Sequence, residues 1–243
     1  MARLHQNGFN VPAAVCITTN AYQQFIRATG LATRIQMEIN RKDFKDMRWE
    51  EIWDAALRIR NLFLRAPFPE KLDAALRGRL APLFQDRAVA VRSTAPGEDD
   101  QGASFAGLHD SYVNVRGIDA IMDHVRLVWA SLWSDAALLY RQEIGLSVIR
   151  SKMAVVVQEM IDGDRSGIIF TQNPANDRQS VIESVHGLNQ GLVDGLFRRT
   201  DGLGSGLPAK YYPAYAGGPE KVATRSSRAV VRDSLPDKPM FRR

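Results

Sequence analysis

Residues 88–115, AVAVRSTAPGEDDQGASFAGLHDSYVNV, form the stretch around which the chain is organised. An apolar, β-type run at 88–91 leads to Arg92, a loop of small and acidic residues follows, and a second β-type run lies at 112–115. An arginine brings a fixed charge and a planar fork of donors, and small residues leave backbone N–H groups free to approach an anion. The pattern indicates a phosphate-binding strand–loop–strand unit. The alternative is a solvated loop in which Arg92 forms a structural ion pair.

Four short motifs follow one another in this stretch: VRSTA at 91–95, ED at 98–99, SFAG at 104–107 and YVNV at 112–115. In this order and at this spacing they closely resemble the nucleotide-binding domain of the phosphoenolpyruvate synthase and pyruvate phosphate dikinase family. The resemblance extends over residues 8–195. It implies an α+β fold, namely an ATP-grasp-like nucleotide-binding domain with a helical N-terminal part and mixed sheets.

The composition is ordinary for a soluble globular protein. Hydrophobic residues make up 45% of the 243 residues and charged residues 24%. No apolar run approaches the length that spans a bilayer, and residues 1–12 lack the apolar core of a signal peptide. We therefore expect a cytoplasmic protein that does not act at a membrane.

The net charge of +5 is concentrated at the C-terminal end of the chain. Residues 197–243 carry ten Lys or Arg and four Asp or Glu, whereas the rest of the chain carries 22 basic and 23 acidic residues. The basic character therefore belongs to the tail and not to the main body. For this reason we do not expect nucleic acid as a partner.

The first predicted strand and helix lie near the N-terminus. The β-branched, apolar run at 15–18 predicts a strand in which Cys16, the single cysteine, is a small buried hydrophobic residue. Thr19 or Asn20 is expected to cap the helix that follows, and Gly30 to end it. In the family that this region resembles, a Gly-Gly-Lys-Gly segment comes just before it, and its lysine contacts ATP phosphates. The chain begins too late to hold that segment, so either the natural start lies earlier or the protein works without that lysine.

Two long segments, 31–84 and 117–146, carry helical periodicity. The first contains an amphipathic set made up of Ile52, Trp53, Ala56, Leu57, Ile59, Leu62 and Phe63. The second contains a stripe made up of Ile118, Ile121, Met122, Val125, Val128, Trp129, Leu132 and Trp133. Ser134 and Asp135 are expected to start a further helix. Both segments are interpreted as core scaffold and not as a cofactor site.

Two β-type runs, MAVVVQEMI at 153–161 and SGIIFT at 166–171, follow the helices. Gln158 and Glu159 interrupt the first run, which indicates either an edge or bend in a strand or an adenine-binding hinge between two lobes. The resemblance supports the hinge, because the family has V-Q-x-M-V and then S-G-x-x-F-T-x-[DN]-P here. On this interpretation backbone groups at Glu159 and Met160 meet the adenine edge, and Gln158 offers its side-chain amide.

The candidate metal ligands follow the next predicted strand, at 181–185. The family has G-L-G-E-x-x-V-x-G after this strand, and its Glu binds the metal that accompanies ATP. The present chain has Gln190 at that position, whose carbonyl can ligate Mg²⁺ without offsetting its charge. Glu183 contributes to metal binding only if its side chain faces the cleft. The resemblance therefore implies ATP with Mg²⁺, with Gln190 and Glu183 as the metal ligands.

The domain assignment follows from where the resemblance ends. Residues 1–195 are assigned to the nucleotide-binding domain, with one lobe at 1–150 and the other at 151–195. Residues 196–243 form a basic tail rich in Pro and Gly, without hydrophobic periodicity. This tail is interpreted as disordered or as foreign sequence, from a shifted reading frame or a truncated gene. The alternative is a divergent tail that folds over the cleft.

The resemblance also implies a function. The chain is expected to be the ATP-binding part of a phosphotransferase that passes phosphoryl from ATP to a histidine on another domain or chain, and then to pyruvate, making phosphoenolpyruvate. Phosphoryl transfer needs the phosphates held and their charge offset, which makes Arg92 the candidate catalytic and phosphate-binding residue. Gly107 and Ser111 match positions where the loop of the family meets the nucleotide.

The chain alone is not expected to run the whole reaction. It contains no G-G-x-T-S-H-like phosphohistidine signature, and it is too short to include the pyruvate-binding domain as well. Whether it is an enzyme stays open at this point. The alternatives are a regulatory module that binds nucleotide without turnover and an inactive fragment.

Overall fold

Two compact units, Met1–Ile161 and Asp162–Arg243, make up the chain in the computed structural model. The structure describes residues 2–95, 107–149, 151–170, 179–188 and 227–232. The first unit combines helices with an antiparallel sheet and the second contains a separate antiparallel sheet. The described residues therefore have the α+β character that the sequence predicts.

Seven helices and four strands of the first unit are described. The helices are α1 (Ala2–Gln6), α2 (Thr19–Ala28), α3 (Leu31–Ile39), α4 (Trp49–Arg65), α5 (Glu70–Phe84), α6 (Ile118–Ser131) and α7 (Asp135–Glu143), with a short 3-10 helix at Phe44–Asp46. The strands are β1 (Ala14–Ile17), β2 (Val89–Thr94), β3 (Ser111–Val115) and β4 (Ala154–Glu159).

The four strands of this unit form one sheet in the order β1-β4-β2-β3. Every strand pair that the structure describes is antiparallel, whereas the sequence analysis expected mixed sheets. Because side chains alternate between the two faces of a strand, partners in register share a face. One row on the side of the helices contains Ile17 and Val155, and the next contains Val91 and Val157. All four side chains are buried.

The helices cover one face of this sheet. Helix α6 contacts β2, β3 and β4, and α2 also contacts β4. Between these helices lies an aromatic cluster made up of Tyr22, Phe25, Phe63, Phe68 and Trp129. The ring centroids of Phe25 and Trp129 lie 5.1 Å apart, a distance at which tilted aromatic pairs attract each other. This core supports the sheet from behind and leaves its other face open.

The apolar set that the sequence predicts for α4 includes residues that are not buried in the core. Ile52 and Phe63 are buried as expected, whereas Trp53 is 50% and Leu57 46% exposed. Helix α4 packs against α3, α6 and α7, and these neighbours cover only one side of it. Trp53 and Leu57 therefore belong to an exposed apolar stripe beside the buried face.

The predicted helix ends are confirmed in part. Gly30 ends α2 and has φ 69°, which a glycine adopts without strain. The Ser134 side chain caps α7 by accepting a hydrogen bond from the Ala137 N–H, as predicted. The start of α2 was placed too late, because the helix begins at Thr19 and its N-cap is Thr18.

The prediction that Cys16 is buried is wrong. Its thiol is free and exposed. The cause lies in the sheet order, which places β1 at the edge and turns the side chain of Cys16 to the uncovered face, while the neighbouring Ile17 faces the core. An alternating strand has two faces, and only the packing decides which of them is covered.

The second unit contains β5 (Arg165–Phe170), β6 (Gln179–His186) and β7 (Ser227–Arg232) in the order β5-β6-β7. Strand β7 lies in the region that the sequence analysis interprets as a tail, and it pairs with β6. Strand β4 pairs with β1 and β2 of the first unit, and the division between the units falls after Ile161, whereas the sequence analysis divided the lobes after residue 150. None of the described helices is long and apolar enough to cross a membrane.

Candidate functional site

Arg92 stands on the open face of the sheet of the first unit. It lies opposite Val156 of β4 and opposite Ser111 of β3 in the two ladders that β2 forms. Its side chain is exposed and, within the described residues, forms no hydrogen bond or ion pair. The alternative interpretation, a structural ion pair at Arg92, is therefore not seen in the described part of the chain. A guanidinium in this position is available to an anionic ligand.

The described strand residues that share a face of the sheet with Arg92 are uncharged. The open face, which is the side of the four strands away from the helices, carries Ala14, Cys16, Ala90, Arg92, Thr94, Ser111, Ala154, Val156 and Gln158. Ala90 is buried, and the other eight residues are exposed or half-buried. Arg92 is the only charged residue in this set. Small side chains leave room for a flat ring to lie against the sheet, and the lone cation suits an anionic group on the same molecule.

Gln158 lies near Arg92 on this face. It is opposite Ala90 on β2 and Ala14 on β1, one row along the sheet from the row of Arg92. Diagonal neighbours of this kind are within reach of long side chains. The structure therefore brings together Arg92, Ser111 and Gln158, which the sequence analysis selected from three separate motifs.

Gly107 and Ser111 frame the segment that leads into β3. Gly107 has φ 77°, in the left-handed region that favours glycine, and a Cβ at this position would meet no atom within 4 Å. Backbone conformation, and not lack of space, therefore accounts for a glycine here. Ser111 is exposed and begins β3 directly opposite Arg92.

Glu159 and Met160 have structural partners. The Glu159 carboxylate accepts a hydrogen bond from the Arg87 guanidinium at 2.6 Å, and the Met160 Sδ accepts one from the Asn114 N–H. The Glu159 N–H donates to the Ala13 carbonyl at 2.8 Å and the Met160 N–H to the Ala88 carbonyl at 2.9 Å. Both N–H groups are thus already engaged within the chain, which leaves neither of them open as a donor to an adenine edge.

The two predicted metal ligands are not assembled into a site by the described residues. The backbone of Glu183 lies in β6, opposite Ile168 of β5 and Arg228 of β7. Gln190 lies outside the described residues. In the described ranges, no group of three or more His, Cys, Asp or Glu side chains is arranged to hold a metal ion.

His109 is a residue that the sequence analysis did not select. It stands between Gly107 and Ser111 and is only 9% exposed. Burial and, next, the nearby Arg141 guanidinium lower the pKa of His109 to about 4, although a hydrogen bond with the Ser131 backbone and the Asp110 charge act in the opposite direction. Its place inside a candidate nucleotide-binding segment was the signal that could have identified it.

The first unit is an α+β domain in which the described helices lie on one face of the sheet. The chain belongs to the family described as pyruvate phosphate dikinase, AMP/ATP-binding domain, whose model matches residues 1–202. The sequence resemblance to the phosphoenolpyruvate synthase and pyruvate phosphate dikinase family is thereby confirmed.

Three curated relatives have different names. The chain is 38% identical to phosphoenolpyruvate synthase of Aeropyrum pernix, in an alignment that covers 77% of the chain and 24% of the relative. It is 34% identical to rifampicin phosphotransferase of Bacillus subtilis, over 78% of the chain and 22% of the relative. It is 36% identical to prodigiosin synthesizing transferase PigC of Serratia marcescens, over 77% of the chain and 19% of the relative. The chain thus spans about a fifth of the length of these relatives.

Proposed function

We propose that this chain binds ATP on the open face of its first sheet and supplies phosphoryl to a histidine on another domain or chain. From that histidine the phosphoryl group passes to a final acceptor, for which pyruvate is the first candidate, with phosphoenolpyruvate as the product. Membership in the AMP/ATP-binding family supports the nucleotide. The acceptor is proposed separately from the nucleotide, because the three relatives have different names: phosphoenolpyruvate synthase, rifampicin phosphotransferase and prodigiosin synthesizing transferase.

The observation that carries the proposal is the exposed side chain of Arg92, which shares its face of the sheet with uncharged residues in the described strands. In phosphoryl transfer the protein contributes mainly by positioning the phosphates and offsetting their negative charge, and covalent catalysis by the protein matters less. Arg92 offers a guanidinium that pairs with no carboxylate among the residues the structure describes, and Ser111 offers a hydroxyl directly opposite. Gln158 adds an amide one row away.

The family also implies a divalent cation. The residues expected to bind it are Gln190, which brings an amide, and Glu183, which brings a carboxylate. Mg²⁺ sites favour carboxylates together with the phosphates of the nucleotide. The described residues contain no cluster that fits a metal ion. A bound divalent cation would offset negative charge on the phosphates together with Arg92.

A second candidate function is a module that holds nucleotide without turnover. The observation that favours it is Gln190, which stands where the family pattern has a metal-binding Glu. Such a module would use the same open face. Its affinity for ATP would be indifferent to Mg²⁺.

Calorimetric titration of the full chain with ATP, with and without Mg²⁺, separates these functions. Saturable binding that strengthens with Mg²⁺ supports the phosphotransferase domain, whereas equal binding under both conditions supports the nucleotide-holding module. A folded sample that does not bind ATP overturns both. The Gln190→Glu variant is the matched comparison, because it restores a carboxylate and should increase the dependence on Mg²⁺ if Gln190 lies at a metal.

A further inference from the structure

Two serines at the junction of α6 and α7 hold the segment between Gly107 and Ser111. The Ser131 Oγ accepts a hydrogen bond from the Asp110 N–H at 3.1 Å and donates one to the Val128 carbonyl at 2.8 Å. Ser131 is 1% exposed, so its hydroxyl bonds to protein groups and not to bulk water. It therefore fixes the residue that directly precedes Ser111.

Ser134 provides the second contact of this junction. Its Oγ accepts the Ala137 N–H at 3.2 Å and lies 3.5 Å from the Leu108 carbonyl, to which it donates. The two serines thus bind one backbone group on each side of His109. The ring of His109 is buried against the same junction, where it meets the Ser131 backbone.

The junction itself is a fixed point in the core. Trp129, Leu132 and Trp133 surround it and are at most 2% exposed. The Trp133 Nε1–H donates to the Tyr22 hydroxyl at 3.0 Å, which ties the junction to α2. A loop bound to such a point keeps one position, because side chains in a packed interior have few alternative arrangements.

We propose that Ser131 is a positioning residue that holds segment 107–111, and with it the Ser111 hydroxyl opposite Arg92, in place for the phosphates of a nucleotide. This inference rests on the proposed ATP site and names a residue that does not itself stand on the open face. Without the Ser131 hydroxyl, the Asp110 N–H loses its acceptor at a partly buried site. The segment then has more than one arrangement, and ordering it opposes nucleotide binding.

The test compares two variants that each remove one hydrogen-bonded hydroxyl from the same unit. Ser131→Ala removes the acceptor of the Asp110 N–H, and Thr29→Ala removes a hydroxyl that donates to the Phe25 carbonyl at the end of α2. Both should lower the melting temperature. Only Ser131→Ala should weaken ATP binding, by about two- to tenfold, which is the effect of losing one hydrogen bond.

Each outcome decides one claim. Wild-type protein that binds ATP, together with Ser131→Ala at unchanged affinity, overturns the inference and leaves the proposed function standing. An equal loss of affinity in Thr29→Ala also overturns it, because general destabilisation then explains the effect. Absence of ATP binding by wild-type protein overturns both claims. If Ser131→Ala does not fold, Ser131→Cys serves in its place, since it keeps the volume and substitutes a weak sulfur acceptor. Unchanged affinity in that variant overturns the inference as well.

Discussion

Arg92 and Ser111 are directly opposite each other in the β2–β3 ladder, on the face of the sheet that no described helix covers. Residues opposite each other in an antiparallel pair have neighbouring side chains. The guanidinium and the hydroxyl therefore form one polar pair at the start of β3. This pair is where we place the phosphates of the nucleotide.

Arg92→Ala should weaken ATP binding by roughly 1.5–3 kcal/mol, or about 10- to 150-fold, because a charged donor to the phosphates is lost. Arg92→Lys should retain part of the affinity, since the charge stays while the planar fork of donors is lost. The measurement is calorimetric titration with ATP. Arg87→Ala is the control, because Arg87 pairs with Glu159 and should leave the affinity unchanged. Equal affinity in Arg92→Ala and wild type would remove Arg92 from the site.

Cys16 offers a direct report on the open face. It is the single cysteine of the chain, is exposed, and lies in the same row as Val156 and Arg92, two strands or about 10 Å from Arg92. Saturating ATP should slow thiol–disulfide exchange at Cys16, measured as the rate at which a chromogenic disulfide releases its coloured thiolate. The same nucleotide concentration should protect Arg92→Ala much less. A rate that ATP does not change in wild type would place the nucleotide elsewhere.

Replacing Trp129 and Trp53, each by alanine in a separate variant, tests which of the two belongs to the core. Trp129 is fully buried among Phe25 and Phe68, whereas Trp53 is 50% exposed on α4. Trp129→Ala should cost about 3–5 kcal/mol of unfolding free energy through the cavity it leaves. Trp53→Ala should cost less than about 1 kcal/mol. Chemical denaturation of both variants measures the difference, and similar losses would contradict the assignment.

His109 should make stability depend on pH. Its pKa is lowered from 6.5 to about 4 in the folded chain, so the unfolded chain binds a proton more readily. The stability that the neutral ring contributes is fully present above pH 6.5 and is lost as the pH falls towards 4. Melting temperatures measured across this window should fall more steeply in wild type than in His109→Gln, which does not titrate. Parallel curves would show that protonation of His109 is not coupled to unfolding.

Local pattern was sufficient for most of the helices and strands. The apolar run before Arg92 forms β2, and Ser134 caps α7, because each depends on neighbours in sequence. Other features were missed for lack of such a local signal. The ion pair between Glu159 and Arg87 joins residues 72 positions apart. The hydrogen bond from the Asp110 N–H to the Ser131 hydroxyl joins residues 21 positions apart.

The order of motifs along the chain was enough to identify the family and to select Arg92, Ser111 and Gln158. Folding determined that these three residues share a face, because the order β1-β4-β2-β3 and its register bring distant segments side by side. Folding also exposed Cys16 and engaged the N–H groups of Glu159 and Met160. An alternating sequence defines two faces for every strand, but long-range packing selects the one that the helices cover and the one left open to a ligand.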